Sequence, residues 1–192
     1  ATELICNSYN EIRRENIVLK CLFQKLWDDK TSVFSYETLE PYFELVDYEE
    51  LTKDSRTVWN DCKLLEIITK QANQTCWRNI TRNCDVNVIC HNIDDFKEKI
   101  DWTIFSGRVD DDFLVDNFLL YPWDIETISS DPFRKDSVIE NLILQKKKTT
   151  DDWDWNVLGN RLSEKFVLDN IDVVDVDLSK FTNDTEGIYQ SI

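Results

Sequence analysis

Glycine and proline are scarce in this chain, with three of each among 192 residues. Tight hairpin turns and phosphate-cradling loops both depend on glycine, so an all-β sandwich and a nucleotide-binding loop are excluded and a mainly helical chain is expected. Histidine occurs once, at His91. That removes most acid–base and metal chemistry that relies on imidazole. Methionine is absent. No stretch approaches the roughly 20 uninterrupted apolar residues that a membrane span needs. Glu3, Glu11, Arg13, Arg14 and Glu15 near the start argue against a secretory leader. The G-x-S-x-G, Walker, H-E-x-x-H and dinucleotide signatures are missing as well. The chain is expected to be no enzyme and to carry no catalytic residue, cofactor or metal.

Negative charge is abundant: 38 acidic residues face 22 basic ones, a net charge of -16. A nucleic-acid backbone or an anionic membrane surface would be repelled. The charge is uneven. Residues 1–92 balance to -4, whereas from Ile93 onward 23 acidic residues stand against 11 basic ones.

The chain also repeats itself. Asp154–Ile171, DWNVLGNRLSEKFVLDNI, slides without gaps onto Asp101–Phe118, DWTIFSGRVDDDFLVDNF, and again onto Cys76–Ile93, CWRNITRNCDVNVICHNI. Trp155, Trp102 and Trp77 coincide, and Arg161 falls on Arg108. Asp124–Leu142 joins with one inserted residue near Pro132, and weaker copies begin at Val46 and Val176. The anchors Tyr48, Trp77, Trp102, Ile125, Trp155 and Leu178 are 29, 25, 23, 30 and 23 residues apart. That is one short helical hairpin per repeat.

Each recurring position has a physical reading. Asp47, Asp101, Asp124, Asp154 and Asp177 precede the anchor and are expected to cap a first helix. Thr52, Thr81, Ser106, Ser129 and Thr182 suit a tight turn into a second helix. Asn92, Asn117, Asn141 and Asn170 are expected to end that helix in a left-handed conformation. The stripe Val109, Phe113, Leu114 and Phe118 returns as Leu162, Phe166, Val167 and Ile171, an apolar face that one hairpin cannot bury alone. The expected architecture is therefore an all-α, irregular α-solenoid. Residues 1–33 form an N-terminal helical cap and residues 34–192 the repeat array, with clear copies near 76–93, 101–118, 124–142 and 154–171 and weaker ones near 46–68 and 176–192.

The segments WDWNVLGNRL at Trp153–Leu162, PWDIETIS at Pro122–Ser129 and IDWTIFS at Ile100–Ser106 resemble the tandem Trp-Asp-Trp/Leu-Ser helical repeats of large DNA viruses and some bacteria. The resemblance spans about Val46–Ile192. It implies an interaction array and supplies no catalytic residues.

Six cysteines, at positions 6, 21, 62, 76, 84 and 90, admit disulfides in a secreted protein. Cys84 and Cys90 align with Val109 and Val115, however, which points to reduced thiols in the core. A zinc site from Cys76, Cys84, Cys90 and His91 has the right ligand types but no short CxxC knuckle. His91 reads better as a surface residue. Sequons at Asn73, Asn79 and Asn183 keep a secreted glycoprotein open, although Asn79 falls inside a first helix. The run Lys146-Lys147-Lys148 reads as an exposed loop.

The most distinctive surface feature is acidic. Asp110, Asp111, Asp112, Asp151 and Asp152 are candidate binding residues on a negative face that would steer a basic partner. Helix-dipole complementarity at two helix starts explains the same residues without any ligand. The function expected is a cytoplasmic, non-catalytic protein-interaction module whose partner is a protein with a basic surface. The alternatives are a secreted, disulfide-bonded glycoprotein that sequesters a host ligand, and an acidic mimic of nucleic acid.

Overall fold

The computed structural model describes residues 16–145 and 153–178. Within these the protein is all-helical, and the sole extended pairing is one parallel bridge between Phe34 and Thr57. The chain divides into two compact units, one ending at Ile100 and the other starting at Asp101. That boundary coincides with the start of a repeat.

The first unit opens with α1 (16–28) and α2 (Tyr36–Leu39), which runs into a 3₁₀ turn at Glu40–Tyr42. Then come α3 (Tyr48–Lys53), α4 (Cys62–Gln71), α5 (Gln74–Asn83), α6 (Val86–His91) and α7 (Ile93–Phe96). The expected cap segment is joined to the array through Trp27, which stacks on the fully buried Phe34 with ring centroids 4.8 Å apart. Arg56 covers Phe34, its guanidinium carbon 4.2 Å from the ring centre. Helices α3 and α5 form the main helix contact of this unit.

The second unit holds α8 (Trp102–Ser106), α9 (Asp111–Asn117), α10 (Ile125–Ser130), α11 (Asp136–Gln145), α12 (Trp155–Leu158) and α13 (Glu164–Asp169). The first helices of successive repeats pack on one another, α10 touching both α8 and α12, and the second helices α9 and α11 do the same. Helices of four to ten residues have little stability alone, so these contacts carry the fold.

The aspartate caps appear as expected. Asp47, Asp101, Asp124 and Asp154 each accept backbone N–H groups at the start of α3, α8, α10 and α12. The Cys76 copy departs from the rule: α5 starts earlier, capped by Asn73, whose side chain accepts from the Cys76 N–H at 2.9 Å. A cysteine cannot supply the strong acceptor that a cap requires, and the nearest upstream Asn takes the role.

Two expectations are corrected. Thr52, Thr81, Ser106 and Ser129 are not turn residues. They lie in their helices and are fully buried. Thr52, Thr81 and Ser129 donate their hydroxyls back to the carbonyls of Glu49, Trp77 and Ile125. Their small size lets neighbouring first helices approach. The recurring asparagines do not enter the left-handed region, since no non-glycine residue among those described has a positive φ. Instead Asn92, Asn117 and Asn170 donate Nδ2 to the carbonyls of Val88, Phe113 and Phe166 at 2.8 to 2.9 Å. Each satisfies a helix-end carbonyl with its side chain. Asn141 uses its side-chain oxygen, accepting from Gln145.

The tryptophans do not all serve as buried anchors. Trp77 is a buried anchor, but Trp102 and Trp155 are half-buried, and the deeper rings are Trp123 and Trp153, two residues ahead of an anchor. Trp123 packs against Trp102, Phe105 and Phe113 of the preceding repeat and donates its indole N–H to the Asn117 carbonyl at 3.1 Å. Trp153 lies against Phe118. The stripe is buried at Val109, Leu114, Phe118, Leu162, Phe166 and Val167, while Ile171 is exposed. Cys76 and Cys84 are in the core. Cys90, expected there, is half-buried, as is its counterpart Val115.

Candidate functional site

One rule links consecutive repeats: a polar side chain at or just beyond the end of a first helix reaches back to the carbonyls ending the first helix before it. In the first unit Asn83 donates Nδ2 to the Thr52 carbonyl at 2.9 Å, and Asn79 donates to the Thr52 hydroxyl. In the second unit the reach is made by arginine. Arg134 donates to the carbonyls of Ser106 and Val109 at 3.0 and 3.3 Å and to the Asp111 carboxylate at 2.9 Å. Arg161 donates to the carbonyls of Ser129, Asp131 and Arg134 and to the Asp136 carboxylate. A guanidinium has five N–H donors in a fixed fork, so it can gather several carbonyls at once. The Arg134 side chain is 2% exposed and that of Arg161 15%.

This inward use of arginine determines the surface of the second unit. Its exposed carboxylates among the described residues are Asp110, Asp112, Asp116, Glu126 and Asp136, followed by Glu164, Asp169, Asp172, Asp175 and Asp177. Against these ten, the exposed cations among the described residues of the unit are two, Lys135 and Lys165. Lys165 is engaged by Asp169.

The predicted acidic residues are only partly brought together. Asp110 caps α9, accepting from the Phe113 N–H at 2.8 Å, with its carboxylate still at the surface. Asp111 is drawn inward by Arg134, and Asp112 is exposed. Asp151 and Asp152 lie outside the described residues, as do Cys6, Lys146, Lys147, Lys148, Thr182 and Asn183. Asp124 joins two repeats: its backbone N–H donates to the Ser106 hydroxyl and its carboxylate accepts from the Thr103 hydroxyl. Partial burial works against its charge, but hydrogen bonds from Thr103 and Thr127 prevail and hold its carboxyl below the usual value. The arginine clasps were not foreseen. The alignment of Arg161 with Arg108 was the available signal, and the insertion at Pro132 hid Arg134.

The first unit has a different feature, an open cavity of about 560 Å³ between α4 and the α6–α7 segment. Trp59, Leu65, Val88 and Phe96 line it together with Glu66, Asp95, Lys99 and His91. His91 is exposed, and its Nδ1 donates to the Asn87 carbonyl at 2.6 Å. Among the described residues no three His, Cys, Asp or Glu side chains are placed to share a metal ion. Asn79 is buried within α5, which leaves no room for a glycan in the folded chain. No described helix is long and apolar enough to cross a membrane. Comparison of the chain with known protein families, curated proteins and solved structures found no match.

Proposed function

We propose that the protein is a non-catalytic interaction module, its repeats stacked as an irregular α-solenoid and its second unit presenting an acidic face to a basic protein partner. The observation that carries this reading is the imbalance of ten exposed carboxylates against two exposed lysines on the described part of that unit. Such a field raises the encounter rate with a positively charged surface and repels nucleic acid and anionic membranes. The resemblance to Trp-Asp-Trp/Leu-Ser repeats supports the same use, since it implies an interaction array.

The test is an affinity isolation from the natural source in low salt and in about 1 M salt, where charges are screened beyond about 3 Å. A protein partner bound in low salt and released in high salt is expected. Reversing the exposed charges with Asp112→Lys, Asp116→Lys, Asp169→Lys and Asp172→Lys should abolish its binding. A partner indifferent to both changes sinks the reading. The buried thiols of Cys76 and Cys84 and the enclosed Asn79 support an intracellular location over a secreted one. Reduced cysteines at unglycosylated mass are expected, with the exposed Cys21 and Cys62 reactive in the folded protein and the buried Cys76 and Cys84 reactive only after unfolding.

A further inference from the structure

The same unit carries an aromatic ring that the fold does not use. Phe133 is 94% exposed, far more than any other large apolar side chain among the described residues. It sits in the turn between α10 and α11, where the repeat carries its insertion, so stacking of repeats does not require a residue there. A lone exposed Leu is unremarkable, but a phenylalanine ring left almost wholly in water is a large unburied apolar surface.

The backbone under this ring is clamped on both sides. The Phe133 N–H donates to the Asp131 carboxylate at 2.9 Å. Arg161 binds the Asp131 carbonyl at 2.8 Å and the Arg134 carbonyl at 2.5 Å. The next side chain, Arg134, is buried and bonded to Ser106, Val109 and Asp111. Pro132 fixes one more backbone angle. A side chain with two rotatable bonds on a rigid turn loses little entropy when it is captured. Buried aromatic anchors ringed by weaker contacts are how interfaces concentrate their energy.

We infer that Phe133 is the anchor of the acidic surface, a ring that enters an apolar pocket on the partner protein. The inference rests on the interaction reading above. From that reading it takes the chemistry of the pocket's rim, lysine and arginine, complementary to the excess of exposed carboxylates on the same unit.

The test places a photo-reactive benzophenone at this position by Phe133→p-benzoylphenylalanine, with the same replacement at the exposed Asn156 as control. Both are irradiated in extract from the natural source. A cross-link from position 133, mapped to an apolar segment flanked by Lys or Arg, is expected. With that partner purified, Phe133→Ala should weaken binding about tenfold or more, while Phe133→Tyr should retain it. Neither substitution should move the unfolding temperature, because the ring packs on nothing. No cross-link from position 133, or an affinity unchanged in Phe133→Ala, overturns the anchor. Binding that is lost in Phe133→Ala yet indifferent to salt and to the aspartate reversals keeps the anchor and overturns the acidic-face reading, so the two failures are distinguishable.

Discussion

The two units use the same repeat grammar but place their positive charge differently. On the described part of the first unit the exposed charges are nearly mixed: twelve carboxylates, among them Glu50, Glu66 and Asp95, accompany nine cations, among them Lys53, Lys70 and Lys99. Several pair along a helix, as Lys53 does with Glu49 and Glu50 and Lys70 with Glu66. The second unit turns Arg134 and Arg161 inward, so its carboxylates dominate the exterior. The link between first helices can thus be closed by a neutral Asn83 or by a charged guanidinium. Choosing the guanidinium knits more carbonyls together and at the same time leaves a negative surface. Arg56 is the intermediate case. It holds the carbonyls of Trp27 and Asp29 and pairs with Asp54 in the first unit.

The sharpest way to break this comparison is to truncate the two kinds of link side by side. Arg134→Ala removes a buried guanidinium and leaves the half-buried Asp111 carboxylate and the carbonyls of Ser106 and Val109 without their donor, which costs about 3 kcal/mol. Asn83→Ala removes one neutral hydrogen bond and costs about 1 kcal/mol. Urea unfolding should separate the variants clearly, and amide exchange should accelerate in α8 to α11 only for Arg134→Ala. Equal losses would mean that the guanidinium confers nothing beyond what an amide does.

Arg161→Ala comes next, at about 2–3 kcal/mol for several charge-assisted bonds at a more open position. It also loosens the carbonyls of Asp131 and Arg134 that hold the α10–α11 turn. Phe133→Ala binding defects should therefore be mimicked in part by Arg161→Ala, whereas Asn83→Ala should leave binding alone.

A cap variant ranks third. Asp124→Ala loses the bonds to the Thr127 N–H and the Thr103 hydroxyl and should cost about 1–2 kcal/mol. Asp47→Ala in the first unit loses only the α3 cap and should cost about 1 kcal/mol. Thermal unfolding of the pair measures how far the second unit's caps also work between repeats.

What could be read from the sequence was whatever recurs locally. An aspartate before an aromatic is a cap because its oxygen reaches N–H groups two and three residues on, and four of the five predicted caps appear in the described structure. Long-range partners were invisible. Nothing in the string DPFRKD says that Arg134 will cross to Ser106, 28 positions earlier, because that depends on how α10 lies on α8. The asparagines were placed correctly and given the wrong mechanism, since side-chain and backbone routes to helix termination leave the same residue in the same place. The acidic run was legible as charge but not as geometry: Asp110, Asp111 and Asp112 are adjacent in sequence yet serve as a cap, the half-buried partner of a buried arginine and a surface group.

The smallest effect separates the units by their response to solution conditions. At neutral pH the second unit's carboxylates repel one another, so added salt should stabilise it by a few tenths of a kcal/mol. The mixed surface of the first unit should gain nothing or lose its exposed pairs. Acid acts in the opposite sense on the groups the fold has engaged. Asp124, and in the first unit Asp54 and Asp61, have carboxyls held below the usual 3.8. For Asp54 the cause is the Arg56 hydrogen bond. For Asp61, hydrogen bonds from the Tyr36, Leu64 and Lys63 N–H groups outweigh the opposing effect of burial. A group with a depressed folded-state pKa contributes its full stability above the unfolded value and loses it as pH falls through the folded one. Both units should therefore weaken below about pH 4. Amide exchange followed at α3 to α5 and at α9 to α11 across salt and pH reads the two responses in one sample. Parallel behaviour of the two regions in salt would mean that the surface imbalance is too well screened to steer anything.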